Sequence, residues 1–591
     1  MHNRVAVILT LFIVIFLFNQ ETFIVSADQD EDIPHNEVRN WALKFGVDVW
    51  EFGRQFTNMI NIKNRYNDYD VEVVRKDGIV LLKDMATEVK NFMDFKKNAV
   101  MRIMDSAEQA ALSDSDRESQ HTSPTSTVYD ARRINEYNSD GRLAEGARHM
   151  DLRFMRRFER LPVNLSISSI LVPNGVDLNS PEVKASLAWS SHLDPLFANN
   201  LERDPALSWQ YFGSSSGFLR RFPGTAWPPE GSKGSKQIND FRAQNWFVQA
   251  ASSPKDVVIL LEASSGISET NFEISMTVAF AILDTLGEND FINLVTFADG
   301  VTSPVPCFRD KMVTATPDNI KEIKDAVKAT KLEHKVNFTA GLEYAFGLLH
   351  RYNQSGNGSQ CNQAIMLITE GTSEPQVDVI KHYNWPHRPV RIFTYLIGRD
   401  SSSKSNLYDM ACTNKGYFVQ INSLEDAREK VIEYALVMAR PMVMYQQDHP
   451  IHWSPVFMAG MSSGLGQENN NKRRLVTTVS TPVFDRRNYS IRVANILGVV
   501  GTDVPIEEIQ KMIPQYKLGV NGYSFIIDNN GRVLYHPDLR PLSDNGQYID
   551  QLKPKYSSGD ITEIELPDTE FQDDPDLLEE NKNLLHDMRY E

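Results

Sequence analysis

The sequence predicts an α/β protein built on a parallel sheet covered by helices on both faces, with a helical segment before it and an α+β region after it. Three observations predict this. From Val257 to Ile421, short apolar runs alternate with stretches of helical period, as strands buried on both faces require. Residues 36–110 show helical spacing alone. After Arg440-Pro441 the strands shorten and alternate, and Asn529-Asn530-Gly531 signals a hairpin.

Composition narrows the class. At about 150 residues per domain, 591 residues make roughly four units. Hydrophobic residues at 41% and charged residues at 24% exclude wholesale disorder, collagen and a polytopic membrane protein. A net charge of −17 repels phosphate and weighs against a nucleic-acid partner. Three cysteines exclude a disulfide-dense scaffold, and the odd count leaves at least one thiol free or paired elsewhere.

Taken in order, Arg4, the apolar run Val5–Phe18 and the small residues Val25-Ser26-Ala27 read as a cleaved secretory signal over 1–27, with an uncleaved anchor as the alternative. Sequons at Asn164, Asn337, Asn353, Asn357 and Asn488 fit that compartment. Val38, Trp41, Phe45 and Val49, then Ile79, Leu82, Met85, Val89, Phe92 and Phe95, set helical faces in 28–112. Residues 113–127 are rich in Ser, Thr and Asp and read as a link. Residues 130–160 are highly charged and predict a helix with one buried face; 165–172 predict a strand and 181–200 further helix. Strands are expected at 257–261, 291–297, 364–369, 391–397 and 416–421, with helices up to Leu286 and over 317–331, 340–352 and 424–438. Strands at 475–484 and 490–500, a helix at 506–512 and the hairpin 522–535 follow; residues 555–591 are acidic and weakly patterned.

Motifs for enzyme chemistry are weak. Gly213-Ser-Ser-Ser-Gly217 matches a nucleophile pattern that has meaning at a strand-to-helix elbow. Here it follows Trp209-Gln-Tyr-Phe212, outside the α/β segment, where Ser and Gly are abundant. No H-E-x-x-H, Walker A loop or C-x-x-C is present, and the 13 histidines are scattered. Non-enzymatic function is therefore expected.

The informative site ends the first apolar strand: Asp256-Val-Val-Ile-Leu-Leu-Glu262-Ala-Ser264-Ser-Gly266. It resembles the first strand and loop of a von Willebrand factor A domain, where Asp-x-Ser-x-Ser begins a metal-ion-dependent adhesion site. Mg²⁺ or Ca²⁺ takes oxygen ligands, and a strand-end loop gathers a carboxylate and two hydroxyls round one point. Against that pattern Glu262 stands for the first Asp and Ser264 matches. Gly266 replaces the second Ser, Val336 the loop Thr, and Glu370-Gly371 the later Asp-Gly. Glu262, Ser264 and Glu370 are thus the candidate metal ligands. Ca²⁺ or Mg²⁺ is expected to be weak or lost.

Longer motifs narrow the resemblance. Asp194–Pro205, Leu207–Gly213, Phe222–Trp227, Ala250–Asp256, Tyr408–Gly416 and Ala439–Val443 resemble, in order, alpha-2/delta auxiliary subunits of voltage-gated calcium channels. Leu497–Val504 and Gly522–Asp528 resemble that family's Cache sensor domain. The resemblance implies a von Willebrand A domain at 254–438, preceded by a von Willebrand A N-terminal or first Cache portion at 128–250 and followed by a further Cache portion at 445–591. It implies a pore-forming channel subunit as partner, surface trafficking and current modulation as the role, and the extracellular face of the plasma membrane as location. The alternative is an extracellular adhesion or ligand-sensing protein without a channel.

Two departures qualify it. The family's amino-acid-binding segment has an Arg triplet before Pro-Trp; here Arg242 remains, Gln244 replaces an Arg, and Trp246 follows. A neutral amide lacks the fixed charge and paired donors that hold a carboxylate. Family members also run several hundred residues further, to a delta portion with a membrane attachment. A chain ending at Glu591 is expected to be a fragment, an incomplete gene model or a soluble variant. Cys361 is the candidate for a disulfide to the delta portion, while Cys307 and Cys412 are candidates for each other.

Overall fold

The computed structural model describes residues 34–68, 77–118, 128–138, 140–158, 161–173, 175–227, 240–332, 336–372, 374–399, 403–445, 449–459, 474–487, 495–518 and 522–537. The expected signal over 1–27, most of the link, Asn488 and the acidic stretch 555–591 lie outside them. The chain divides into two units, 1–81 and 82–591.

In the first unit, helices α1 (His35–Phe56) and α2 (Met59–Asp68) carry the expected periodicity. Val38, Trp41, Phe45 and Val49 nonetheless stay exposed, at 48–65%. Helix α3 (Gly78–Glu118) starts in the last residues of the first unit, lies mostly in the second, and continues through the start of the expected link. Its Ala99, Val100, Ile103, Met104, Ala107 and Ala111 are buried at helical spacing. Glu108 fastens it: its carboxylate accepts from the Phe484 amide at 2.9 Å and lies 2.7 Å from His449 Nε2.

The expected helix over 130–160 does not form. A 3₁₀ turn at Ala131–Arg133 is followed by isolated bridges, then by the antiparallel pair β1 (Arg153–Met155) and β2 (Leu161–Val163). Asn135, Gly141 and Gly146 all hold positive φ, which an α-helix cannot absorb. Charge density alone suggested a helix there.

Strand β3 (Ser169–Leu171) leads to α4 (Pro181–Ser190) and α5 (Asp194–Arg203). Ser180 caps α4 by accepting from the Val183 amide, and Pro181 opens it. Then come β4 (Gln210–Ser214), β5 (Leu219–Phe222) and α6 (Asn245–Ala251).

The α/β segment runs β6 (Lys255–Glu262), α7 (Glu269–Thr285), β7 (Phe291–Phe297), β8 (Val301–Thr302), β9 (Val313–Thr314), α8 (Pro317–Lys328), α9 (Phe338–Ser355), β10 (Asn362–Thr369), α10 (Val377–Asn384), β11 (Val390–Ile397), α11 (Lys404–Thr413), β12 (Phe418–Ile421), α12 (Leu424–Lys430) and α13 (Glu433–Met444). Its sheet orders as β12-β11-β10-β6-β7-β8, with β6, β7, β10, β11 and β12 parallel. Alternation along β6 explains the apolar run. Val257, Ile259 and Leu261 pack with α7, α8 and α13, while Val258 and Leu260 pack with α9 and α11. Burying each such side chain contributes about 1.5–3 kcal/mol. The helix expected over 424–438 is two helices, α12 and α13.

Strands β13 (His452–Trp453), β14 (Phe457–Ala459), β15 (Arg474–Phe484) and β16 (Ile496–Pro505) complete a second, antiparallel sheet, ordered β13-β15-β16-β4-β5-β3. Residues from both sides of the α/β segment therefore build one sheet, and the parallel-sheet domain is an insertion in it. Helix α14 (Ile506–Met512) and the hairpin β17 (Ile526–Ile527) and β18 (Val533–Tyr535) follow. Gly531 takes the positive φ that the turn needs.

Where the parallel strands begin, Lys255 and Asp290 form an ion pair with both side chains fully buried, Nζ to Oδ2 at 2.9 Å. Asp290 also accepts from the Lys255 and Gly287 amides at 3.1 and 2.9 Å, so its lone pairs are occupied. Burial is the largest single influence and lowers the Lys255 pKa, but the Asp290 charge, Tyr434 and the hydrogen bond to Asp290 together outweigh it and the net direction is up. Nearby, His452 has a buried Nε2 without a partner among the described residues.

Breaking the pair by Asp290→Ala should cost about 3–5 kcal/mol by stranding a buried ammonium. Lys255→Met with Asp290→Leu should recover most of it; urea unfolding midpoints measure both. Burial lowers the His452 pKa from 6.5 to about 4, so the folded state resists a proton that the unfolded state accepts. Its contribution is complete above pH 6.5 and is lost as pH falls toward about 4. Thermal melts across that window should decline with acid, and His452→Phe should flatten the decline.

Candidate metal centre

The parallel strands bring their carboxyl ends to one face, and Glu262, Ala298, Glu370 and Gly398 close the four central strands there. The connection from β6 to α7 is short. The Ile267 amide donates to the Ser264 carbonyl, and Ser268 caps α7 by accepting from the Asn271 amide at 3.2 Å.

Glu262 is 5% exposed, and its carboxylate is filled from inside. Oε1 accepts from the Ser264 hydroxyl at 2.8 Å. Oε2 accepts from the Thr369 hydroxyl at 2.5 Å and from the Glu370 amide at 3.1 Å. Glu370 Oε1 accepts from Asn271 Nδ2 at 2.6 Å. The structure places Glu262, Ser264 and Glu370 at one strand-end cluster and adds Thr369 and Asn271, which sequence reasoning missed. Thr369 had a signal, as the last strand residue before Glu370. Asn271 had none.

The two replaced positions behave differently. Gly266 is exposed, and a Cβ there would meet only Ser264 Oγ at 3.7 Å, so space for a hydroxyl side chain remains. Val336 is half-buried and packs against the apolar cluster under α9. The next residue, Asn337, donates its amide to the Ala298 carbonyl at 2.7 Å and caps α9 by accepting from the Ala340 amide at 3.1 Å. Among the described residues, no three His, Cys, Asp or Glu side chains gather as a metal would need.

Burial raises the Glu262 carboxyl above its ordinary 4.5. The bonds from Thr369, Ser264 and the Glu370 amide pull it back, and the Glu370 charge adds to the rise.

The other candidates are placed as follows. Arg242 is tied to Asp240, with Nη2 to Oδ2 at 2.6 Å, and also donates to the Ser215 carbonyl at 3.3 Å. Gln244 Oε1 accepts from Trp246 Nε1 at 2.7 Å, and Trp246 is buried against Phe241 and Tyr211. Gly213–Gly217 forms the turn of the β4–β5 hairpin, where Ser215 Oγ donates to the Leu497 carbonyl at 3.1 Å, so it is not a nucleophile elbow.

Cys307, Cys361 and Cys412 are all exposed free thiols. The Cys307–Cys412 pairing is contradicted. Cys307 follows β8 at one sheet edge and Cys412 precedes β12 at the other. Cys307 sits in a turn bonded to β7 through Asn293 and the Phe308 carbonyl, and Cys412 in a helix packed on β11; β7 and β11 are three strand spacings of about 4.8 Å apart, beyond the roughly 7 Å that a disulfide bridges between Cα atoms. A cavity of about 770 Å³ lies where β7 begins, lined in part by Gln249, Glu288, Lys324 and His452, at the end of the sheet opposite Glu262.

The fold defines the class: a von Willebrand factor type A domain together with a Cache domain. Family models agree, with VWA N-terminal over residues 102–227, von Willebrand factor type A domain over 256–432 and Cache domain over 391–573. Over nine-tenths of its length the chain is similar to alpha-2/delta subunits of voltage-dependent calcium channels. It is 38% identical over 544 residues to voltage-dependent calcium channel subunit alpha-2/delta-3 of Rattus norvegicus, covering 91% of this chain and 49% of the relative. It is 38% identical over 538 residues to the alpha-2/delta-4 subunit of Homo sapiens, covering 91% and 46%. Voltage-dependent calcium channel unc-36 of Caenorhabditis elegans is 24% identical over 488 residues, covering 69% and 38%. The chain spans about half the length of the curated relatives it matches. Among solved structures, von Willebrand factor type A from Catenulispora acidiphila is similar at 14% identity and a TM-score of 0.28, covering 43% of this chain and 66% of that one.

Because the folded pKa of Glu262 is raised, its stabilising contribution is complete below the ordinary carboxyl value of 4.5 and is lost as pH rises through the raised one. Glu262→Gln keeps an acceptor for Thr369 and the Glu370 amide and offers a donor to Ser264. It should be at least as stable as wild type near pH 7.5 and should lose the pH dependence. Glu262→Ala should cost about 1–3 kcal/mol through the unpaired groups it leaves. Denaturant unfolding near pH 5 and near pH 7.5 checks this; a Gln variant clearly weaker near pH 7.5 would show that the charge itself is required.

Proposed function

We propose that the chain is a non-enzymatic auxiliary subunit of a voltage-gated calcium channel. It meets the pore-forming subunit on the extracellular side, promotes its surface delivery and modulates its current. The observation that carries this reading is the ordered likeness to alpha-2/delta subunits over 91% of the chain, including the inserted domain. In this reading Cys361, exposed at the approach to β10, is the disulfide candidate for a delta portion.

The same reading has the metal face hold Ca²⁺ or Mg²⁺ weakly or not at all. Mg²⁺ requires near-octahedral oxygens at about 2.0–2.1 Å, and Ca²⁺ takes six to eight at about 2.3–2.6 Å. Glu262 already accepts three internal hydrogen bonds, Glu370 accepts from Asn271, and Val336 offers no oxygen. The residues present do not fit a tightly held cation.

A second reading, an extracellular adhesion or ligand-sensing protein without a channel, is favoured by the internal pairing of Arg242 with Asp240 and of Glu262 with its neighbours.

Co-purification with a pore-forming subunit, together with an increase in that subunit at the cell surface, is the expected outcome. Capture of a matrix protein in its place supports the second reading. For the metal, calorimetric titration of the secreted chain with Ca²⁺ or Mg²⁺ should show no micromolar binding. The combined changes Glu262→Asp, Gly266→Ser and Val336→Thr should create it. Micromolar binding by wild type that Glu262→Ala abolishes would overturn the weak-metal reading.

A further inference from the structure

The structure sorts the sequons by what each Asn side chain already does. At Asn164, Nδ2 donates to the Asp151 carbonyl at 2.9 Å, and Oδ1 accepts from the Ser166 and Ile167 amides at 2.8 and 3.1 Å. Its backbone pairs with Gly224 in both directions. A sugar on that nitrogen would have to fit beside a side chain already held at both of its polar atoms. Asn337, Asn353 and Asn357 are exposed. Asn337 caps α9 through Oδ1 alone, and among the described residues its Nδ2 takes no partner. A substituted Asn337 therefore keeps its cap.

Its position sets it apart. The Asn337 amide is held by Ala298, the residue after Phe297, and Phe297 is the strand partner of Glu262. The Ala263 amide donates to the Phe297 carbonyl, so one backbone layer joins Asn337 to the Glu262 loop. Asn353 lies near the other end of α9, some 24 Å along the axis at about 1.5 Å per residue. Asn357 follows it, beside the start of β10. Glycans at those two positions leave the Glu262 face open.

We propose that Asn337 carries an N-linked glycan and that this glycan screens the Glu262 face from large partners. The step is transfer from a lipid-linked pyrophosphate oligosaccharide. The Asn Nδ2–sugar C1 bond forms, the C1–O bond to pyrophosphate breaks, the lipid pyrophosphate leaves and the amide loses one proton. The proposal rests on the extracellular reading above but does not require a channel, so its test stands apart from the co-purification.

The full chain is expressed in mammalian cells, treated with peptide N-glycosidase in ¹⁸O water, and analysed by mass spectrometry. Asn337 should be converted to labelled Asp, and Asn164 should be unlabelled. For screening, Cys307, Cys361 and Cys412, all exposed, are changed to Ser, and the exposed Ser265 to Cys. A maleimide bearing a polyethylene glycol of about 5 kDa should label this chain about fivefold more slowly than the same chain with Asn337→Asp, because an N-glycan is bulky. N-ethylmaleimide should label both alike. Asp keeps the helix cap and deletes the sequon, and Thr339→Ala, which deletes it by another route, should match. An unlabelled Asn337 or a labelled Asn164 overturns the assignment; equal rates with the large reagent overturn the screening.

Discussion

The pairing of β4 with β16 is the constraint on which the rest of the molecule depends. Gln210–Ser214 and Gly498–Thr502 run antiparallel although nearly 290 residues separate them. Everything between must leave the sheet and return to it. Helix α6 starts the departure and stays bound to the sheet, since Ser480 Oγ donates to the Trp246 carbonyl at 2.9 Å. The return is β13, whose His452 lies in the field of Asp290 and Lys255. The parallel strands therefore begin beside the antiparallel sheet, with the Lys255–Asp290 pair at that junction. Their carboxyl ends point away from it. The Glu262 face is free because the insertion has no other way to close.

What stands on that face follows from one methylene. A Glu at the end of a buried strand reaches further than an Asp, and its carboxylate must find donors because water is excluded. It finds them in Ser264, Thr369 and the Glu370 amide, all supplied by the two central strands and the loop after β6. The Ser264 and Thr369 hydroxyls are of the kind that an adhesion site arranges round a cation. Here they are arranged round a carboxylate. Glu370 is likewise held by Asn271 from the first turn of α7. These polar groups satisfy one another through hydrogen bonds within the site.

The α/β segment was legible in the sequence because strands covered on both faces need unbroken apolar runs; Val257–Leu261 and Ala364–Ile368 have no other economical explanation. Insertion within a second sheet was legible through resemblance alone, since no local pattern announces a pairing across such a separation. Residues 130–158 were misread because Arg- and Glu-rich composition resembles a helix surface, whereas three positive-φ positions decide the backbone. The candidate ligands Glu262, Ser264 and Glu370 were legible from a strand-end motif. Their partners were not, because Thr369 and Asn271 reach Glu262 and Glu370 through the parallel register of β6 and β10 and the placement of α7. Cys307 and Cys412 show the same limit: strand order, not spacing along the chain, puts them at opposite edges.

Val336 and Asn337 concentrate the departure from the adhesion pattern in two consecutive residues. The Val336 side chain turns toward the apolar cluster, so a position that would supply a ligand oxygen supplies packing. The Asn337 side chain faces solvent and holds the start of α9. Inward, the change takes away a hydroxyl that the proposed weak-metal reading counts as missing; outward, it places a polar, exposed amide at the start of α9. The two effects are physically independent, since one depends on the inner coordination of a cation and the other on access from solvent. In the two proposals above they would bias the face in the same direction, toward a surface that does not dock through a shared metal. Contact with a large partner is then best sought on surfaces away from the carboxyl ends of the parallel strands.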